Sequence, residues 1–134
     1  MSELEIFLQK DSLNKTESVA VSERFKSGGV PVKWDIRAVT EAQNRALRAG
    51  LAHANQKSAN ELDYDMYLLR LCAECTVSPN LKSAELQKAY GAAGETALLE
   101  AMLLPGEYAV LLSAVKRING FDETLARLCE DAKK

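Results

Sequence analysis

From Val30 to Ala38 apolar and polar residues alternate: Val30, Val32, Trp34, Ile36 and Ala38 against Pro31, Lys33, Asp35 and Arg37. A period of two predicts a half-buried strand. Upstream, Ser18–Phe25 puts Val19, Val21 and Phe25 on one face, with Glu23 breaking the pattern, and predicts a second strand. Lys26-Ser27-Gly28-Gly29 between them suits a tight turn, because glycine reaches positive φ without a steric penalty. The expectation is one β-hairpin over residues 18–38. A lone hairpin is marginal in water, so it must lie on helices or pair with another chain. Ahead of it, Ser2–Lys10 predicts a short helix with Leu4, Phe7 and Leu8 on one side, and Asp11–Glu17 a polar linker.

After Ala38 the period changes. Thr40-Glu41-Ala42-Gln43 is a capping box, in which Thr40 and Gln43 satisfy each other's backbone N–H groups, so a helix begins here. Leu47, Leu51 and Ala54 mark its apolar side, and it fades in the polar stretch Asn55–Glu61. Asp63 caps the next predicted helix, which runs to Cys75. Tyr64, Tyr67, Leu68, Leu71, Cys72 and Cys75 share one face, while Met66, Leu69 and Ala73 fill a second. A helix this apolar belongs at the centre of the core.

Val77-Ser78-Pro79-Asn80-Leu81 reads as a break. Ser83 then caps a short helix through Tyr90, which Gly91 ends. Gly94–Leu104 predicts another helix, carrying Leu98, Ala101 and Met102. Pro105 suits the first turn of the next one, where its missing N–H costs nothing. Tyr108, Leu111, Leu112, Val115 and Ile118 give that helix a clear stripe, and Asn119-Gly120 stops it. Asp122 caps a last predicted helix with Leu125, Leu128, Cys129 and Ala132 on one side. The expected fold is therefore mainly α: one domain spanning 1–134, with an N-terminal β-hairpin and a compact helical body of about six short helices over 41–133, packed antiparallel through short connections.

The length of 134 residues fits one domain, and 47% apolar with 27% charged residues is ordinary for a globular protein. Seventeen basic and nineteen acidic residues leave a formal net charge of −2, which argues against nucleic acid as the main partner, since phosphate binding needs concentrated basic residues. No apolar run approaches the roughly 18 residues that span a bilayer. The start, MSELEIFLQKDSLNK, carries acids where a secretion signal needs positive charge. The expected location is the cytoplasm, where three cysteines, an odd number, stay reduced.

Candidate chemistry is sparse. Cys72-Ala73-Glu74-Cys75 has the spacing of a zinc or redox pair, but a structural zinc needs four ligands, and His53 and Cys129 lie at no matching spacing. A redox pair also favours a helix N-terminus, whereas these thiols sit at a helix end. Two core thiols at i and i+3 is the better reading. His53 lies near Arg45, Arg48 and Lys57 with no nucleophile in a catalytic spacing, and reads as a surface residue. Gly91-Ala92-Ala93-Gly94 lacks the Lys-Ser/Thr and the strand of a phosphate loop, and reads as a helix-to-helix turn.

Three further sets of residues have plain structural readings. Arg37, Arg45, Arg48 and Lys33 form either a basic patch or, preferably, a solvated face. Glu61, Asp63 and Asp65 lack the glycine of a calcium loop, leaving Asp63 as a cap. Trp34 shares a face with Val32 and Ile36 and reads as core; an exposed Trp would instead anchor a partner. No catalytic, cofactor or metal residues are assigned, and no enzyme activity is expected.

Two groups of blocks resemble a known family. The first is Ser22-Glu23-Arg24-Phe25-Lys26 followed by Val32-Lys33-Trp34-Asp35-Ile36-Arg37. The second is Val77-Ser78-Pro79-Asn80-Leu81, Ala84-Glu85-Leu86-Gln87-Lys88-Ala89-Tyr90-Gly91, Ala97-Leu98-Leu99-Glu100-Ala101-Met102-Leu103, Pro105-Gly106-Glu107-Tyr108 and Ile118-Asn119-Gly120-Phe121-Asp122. In order and spacing, from Val19 to Phe121, they resemble the XkdN-like phage tail assembly chaperones of phages and prophages of Gram-positive bacteria.

The resemblance implies a protein that binds the tape-measure protein in the bacterial cytoplasm and assists tail-tube subunits to assemble around it. It also implies absence from the finished virion; the charge balance and the short apolar runs, separately, predict no nucleic-acid or membrane partner. The resemblance carries no functional residues with it. The apolar stripes suggest a partner groove between the Asp63–Cys75 and Pro105–Ile118 helices, in helix-in-groove fashion. The hairpin edge suggests a homo-oligomer. The competing reading is a small phage-encoded helical adaptor or regulator of a host or phage protein.

Overall fold

The computed structural model of the chain describes residues 2–54 and 61–121, and the side chains of 2–49 and 64–121. Its elements, in chain order, are α1 (Glu3–Phe7), a 3-10 turn (Lys10–Leu13), β1 (Thr16–Val19), β2 (Lys26–Ser27), β3 (Val30–Pro31) and β4 (Trp34–Arg37). These are followed by α2 (Glu41–Ala54), α3 (Glu61–Cys75), β5 (Thr76–Ser78), α4 (Ala84–Ala89), α5 (Glu95–Met102) and α6 (Pro105–Ile118). The helix expected from Asp122 onward lies outside the described residues.

The mainly α expectation is corrected: the chain is mixed α/β. β1, β4 and β5 form a three-stranded antiparallel sheet in the order β1-β4-β5, and β2 with β3 forms a separate two-stranded ribbon. The third strand went unread because Thr76–Ser78 is only three residues long and abuts Pro79. That is too short to show a period, and proline is a breaker.

The expected hairpin pairs in the right sense but not along its whole length. Thr16 faces Arg37 and Val19 faces Trp34, so the first strand starts inside the expected linker. Residues 20–25 leave the sheet, and the chain pairs again only at Lys26↔Pro31 and Ser27↔Val30. Gly28 and Gly29 turn the ribbon at φ 59° and 83°, in the left-handed region that glycine enters freely. Val30 and Val32, expected on the core face, are therefore exposed, whereas Trp34 and Ile36 are buried as their alternation requires.

Most helix signals hold, but Asp63 is not a cap: α3 begins at Glu61 and Asp63 is its third residue. The Gln43 N–H donates to Thr40 Oγ1 at 3.2 Å and the Thr40 N–H to Gln43 Oε1 at 2.9 Å, closing the capping box of α2. Ser83 Oγ accepts from the Leu86 N–H at the start of α4. α3 is the central helix: Tyr67, Leu68, Leu69, Leu71, Cys72, Ala73 and Cys75 are all buried. It packs on α2, α5 and α6 and runs directly into β5. Ile36 from the sheet, Leu98 and Leu99 from α5, and Leu111 and Val115 from α6 complete one buried cluster. Burying a side chain of this kind contributes about 1.5–3 kcal/mol each, which is why the sheet and helices hold as one layer on another.

Candidate functional site

The most connected polar cluster joins the loop after β1 to the start of α6. Pro105 occupies the first turn of α6 and Glu107 is the third helical residue, so its carboxylate folds back and Oε1 accepts the Leu104 N–H at 2.8 Å. The same carboxylate receives the Arg24 guanidinium at two points: Nη2 to Oε1 at 2.6 Å and Nε to Oε2 at 2.9 Å. The Ser22 hydroxyl donates to Oε2 at 2.5 Å while accepting the Arg24 N–H at 3.0 Å. Arg24 Nη2 also donates to the Met102 carbonyl at 2.6 Å, at the end of α5.

The Arg24 guanidinium above all, then the Leu104 N–H and the Ser22 hydroxyl, hold the Glu107 carboxyl down to about 2, well below its usual 4.5. A carboxylate with both oxygens engaged twice is a structural tie and has no lone pair aimed at a substrate. It does explain one thing about the sequence. Ser22–Lys26 and Pro105–Tyr108, two of the blocks quoted above, are one structure. A glutamate at the third position of a helix opened by proline signals the backward reach to the Leu104 N–H, but it does not announce Arg24.

A second block, Ile118–Asp122, is likewise explained by Asn119. Its Oδ1 accepts the Val39 N–H at 2.9 Å, and its Nδ2 donates to the Val115 carbonyl at 2.9 Å and to Cys75 Sγ at 3.4 Å. The end of α6 is thus stitched to the β4–α2 connection and to the end of α3. A third polar tie lies under α2, where the Tyr67 hydroxyl donates to the buried Asn44 Oδ1 and Asn44 Nδ2 donates to Glu41.

The predicted thiol pair is core. Cys72 and Cys75 are fully buried, and burial pushes Cys72 up to about 12 and Cys75 upward as well. Neither is a thiolate at neutral pH, so neither is poised to ligate or attack. Among the described residues no group of three or more His, Cys, Asp and Glu is placed to hold a metal ion. Cys129 lies outside the described residues, and the side chains of His53, Glu61 and Asp63 lie outside those described. Asp65 is exposed on α3.

The basic residues resolve into ion pairs. Arg37 meets Glu74 at 2.9 Å, Arg45 meets Glu41 at 3.1 Å and Arg48 meets the same carboxylate at 3.4 Å. Lys33 is exposed on the connection into β4. Gly91 ends α4 and Gly94 opens α5, with the Gly94 N–H held by Gln87 Oε1, so this segment is a helix-to-helix turn. Trp34 is buried in the core.

The groove expected between α3 and α6 is closed. Leu71, Cys72 and Cys75 of α3 and Leu111, Ala114 and Val115 of α6 are buried, and the two helices pack directly on each other. Asn119, just after α6, touches Cys75, the last residue of α3, so the two helices end side by side. What remains exposed near their N-terminal ends is Tyr64 and Met66 on α3 and Leu104 just before α6. Elsewhere Val30, Val32, Val77, Val110 and Phe121 are exposed, and so is every large apolar side chain of the segment before β1.

Such a chain is a helical layer on a small antiparallel sheet, with its polar clusters used for internal ties and apolar side chains left on several outer faces. It matches the family described as "Phage XkdN-like tail assembly chaperone protein, TAC" over residues 4–133, and it belongs to that family. Among curated proteins it is similar to the "Uncharacterized protein YqbN" of Bacillus subtilis (strain 168), 33% identical over 98% of this chain and 93% of that protein. It is also similar to the "Phage-like element PBSX protein XkdN" of the same organism, 29% identical over the same shares. The crystal structure of YqbN superposes with a TM-score of 0.75 at 28% identity, covering 91% of this chain and 99% of that one. The family is thus one of phage tail assembly chaperones, as the sequence blocks implied.

Proposed function

We propose that this protein holds the tape-measure protein of a phage or prophage tail in an assembly-competent state, in the bacterial cytoplasm, until tail-tube subunits close around it. We propose further that it then leaves, so that the finished tail lacks it. The observation that carries the reading is membership of the tail assembly chaperone family over nearly the whole chain. The absence of a helix long and apolar enough to cross a membrane, among the described residues, is compatible with it. A tape-measure protein is long and presents apolar helical faces before assembly, and shielding those faces takes apolar surface on the chaperone.

With the α3–α6 seam closed, that surface is best sought at the N-terminal ends of these two helices. Tyr64, Met66 and Leu104 are 56, 41 and 56% exposed there, large apolar side chains beside a core that does not need them. Aromatic and methionine side chains are the types that anchor protein interfaces. Binding of purified tape-measure segments, measured by calorimetry, should weaken at least tenfold in Met66→Glu and Leu104→Glu with the melting temperature unchanged. Unchanged binding by both variants moves the surface elsewhere. Mass spectrometry of purified tails should find no copies of this chain.

A further inference from the structure

The segment before β1 buries nothing. α1 and the 3-10 turn after it contain no buried residue, and Leu4, Ile6, Phe7, Leu8 and Leu13 are between 51 and 82% exposed. The segment is nonetheless ordered locally: Ser2 and Glu5 close a reciprocal capping box, and the Ser12 hydroxyl holds the Gln9 carbonyl at 2.9 Å. Five large apolar side chains on one short run exceed the scattered exposure normal for a surface.

A second, independent observation sits where this arm joins the body. β1 is an edge of the three-stranded sheet. The Ala38 N–H donates to the Lys15 carbonyl at 3.0 Å, and the register runs Thr16↔Arg37 to Val19↔Trp34. Hydrogen-bonded pairs alternate in an antiparallel ladder, so Lys15, Glu17 and Val19 spend their backbone groups on β4. The N–H and C=O groups of Thr16 and Ser18 therefore point away from the sheet, with no strand beside them among the described residues. The opposite edge, β5, is short and runs into Pro79, which has no N–H to offer.

We infer that the outer edge of β1 and the arm before it form the contact between two copies of this chain, their β1 strands paired antiparallel about Thr16. Three features favour a second copy as the occupant. An antiparallel pairing of identical edges is closed by a two-fold axis, so both sets of outward groups are satisfied at once. In the register centred on Thr16, Lys15 of each copy stands opposite Glu17 of the other, a cross-strand pair made twice. That carboxylate already meets Arg117 of its own chain at 2.5 Å, so each Lys15 adds a second cation to a half-satisfied carboxylate. The arm is continuous with the edge and crosses onto the second copy, where it adds apolar area. Four residues of edge are far short of the roughly 800 Å² per partner of a stable interface, and the arm supplies what the edge lacks. The inference does not depend on which tail protein is bound.

Sedimentation velocity of the full chain from micromolar to millimolar concentration tests it. Wild type should dimerise. Lys15→Glu, an exposed position with no ion pair among the described residues, should raise the dissociation constant about tenfold at low salt and less at high salt, because two attractive pairs become repulsive. The double variant Phe7→Glu with Leu8→Glu, both exposed in the single chain, should abolish the dimer while leaving the circular dichroism and melting temperature of the monomer intact. A wild type that stays monomeric throughout, or a dimer indifferent to both variants, overturns the inference. A monomeric wild type whose arm variants lose tape-measure binding also overturns it and reassigns the arm to that partner.

Discussion

Arg24 and Glu107 lie 83 residues apart in the chain and meet in a two-point ion pair, 2.6 and 2.9 Å, that fastens the loop after β1 to the first turn of α6. The Glu107 side chain is mostly withdrawn from solvent and the Arg24 side chain less so. Because Ser22 and the Leu104 N–H share the carboxylate, and Arg24 also holds the Met102 carbonyl, the loop after β1, the end of α5 and the start of α6 depend on one ion pair.

That dependence has a sign. Glu107 has a folded value near 2 against an ordinary 4.5, so folding favours its ionised form. The stability it contributes is present above about pH 4.5 and is lost as the pH falls through 2. Urea denaturation followed across this window should show wild type losing stability more steeply than Glu107→Gln, which should be less stable at pH 7 and flatter in acid. Parallel curves for the two proteins would contradict the tie. A double-mutant cycle of Arg24→Ala with Glu107→Gln should be non-additive, as expected of groups in one network.

Asn119 satisfies the Val39 N–H from the end of α6. Asn119→Ala leaves that donor without a partner, and the expected cost is about 1–3 kcal/mol, measured by chemical denaturation. Asn119→Asp keeps the acceptor but loses the donor to Val115 and Cys75. It should therefore fall between wild type and alanine.

Under α2, Tyr67→Phe removes the hydroxyl that meets buried Asn44. The predicted loss is about 1–2 kcal/mol, because the ring still packs while the Asn44 carbonyl oxygen loses its partner. Hydrogen exchange should report the opening locally, with faster exchange along Glu41–Leu47 and little change in α5. Uniformly faster exchange would mean that the tie serves the whole fold.

The two buried thiols should be silent. With Cys72 raised to about 12 and Cys75 raised too, neither should react with iodoacetamide at pH 8 in the native protein, while both react in denaturant. Peptide mapping after labelling distinguishes them from Cys129. Rapid native labelling of either would reopen the reading of Cys72–Cys75 as a working pair.

The sequence was most legible where a pattern is local and long. The apolar surface of α3, the capping box at Thr40–Gln43 and the proline at the start of α6 each declare themselves within a few residues, and each is found in place. The alternation from Val30 misled at its start because periodicity reports side-chain polarity and not strand pairing. The Val32 N–H bonds the Phe25 carbonyl at 2.7 Å beside the ribbon, and the strand that meets the core begins only at Trp34.

The third strand was too short for any period to appear, so a mixed sheet-and-helix chain read as mainly α. Long-range ties were out of reach for a different reason. Nothing near Ser22 or Arg24 announces Glu107, since an ion pair between distant segments leaves no spacing to read. The apolar stripes of α3 and α6 were visible, but a stripe looks the same whether it lines a groove or fills a core. Only their mutual burial decides for the core.

Co-expression with the tape-measure protein encoded in the same phage or prophage tests the central claim most directly. The tape-measure protein should be more soluble when made with this chain than when made alone, and should co-elute with it on a sizing column. A tape-measure protein that stays insoluble beside abundant folded chain, with no co-elution, would contradict the account.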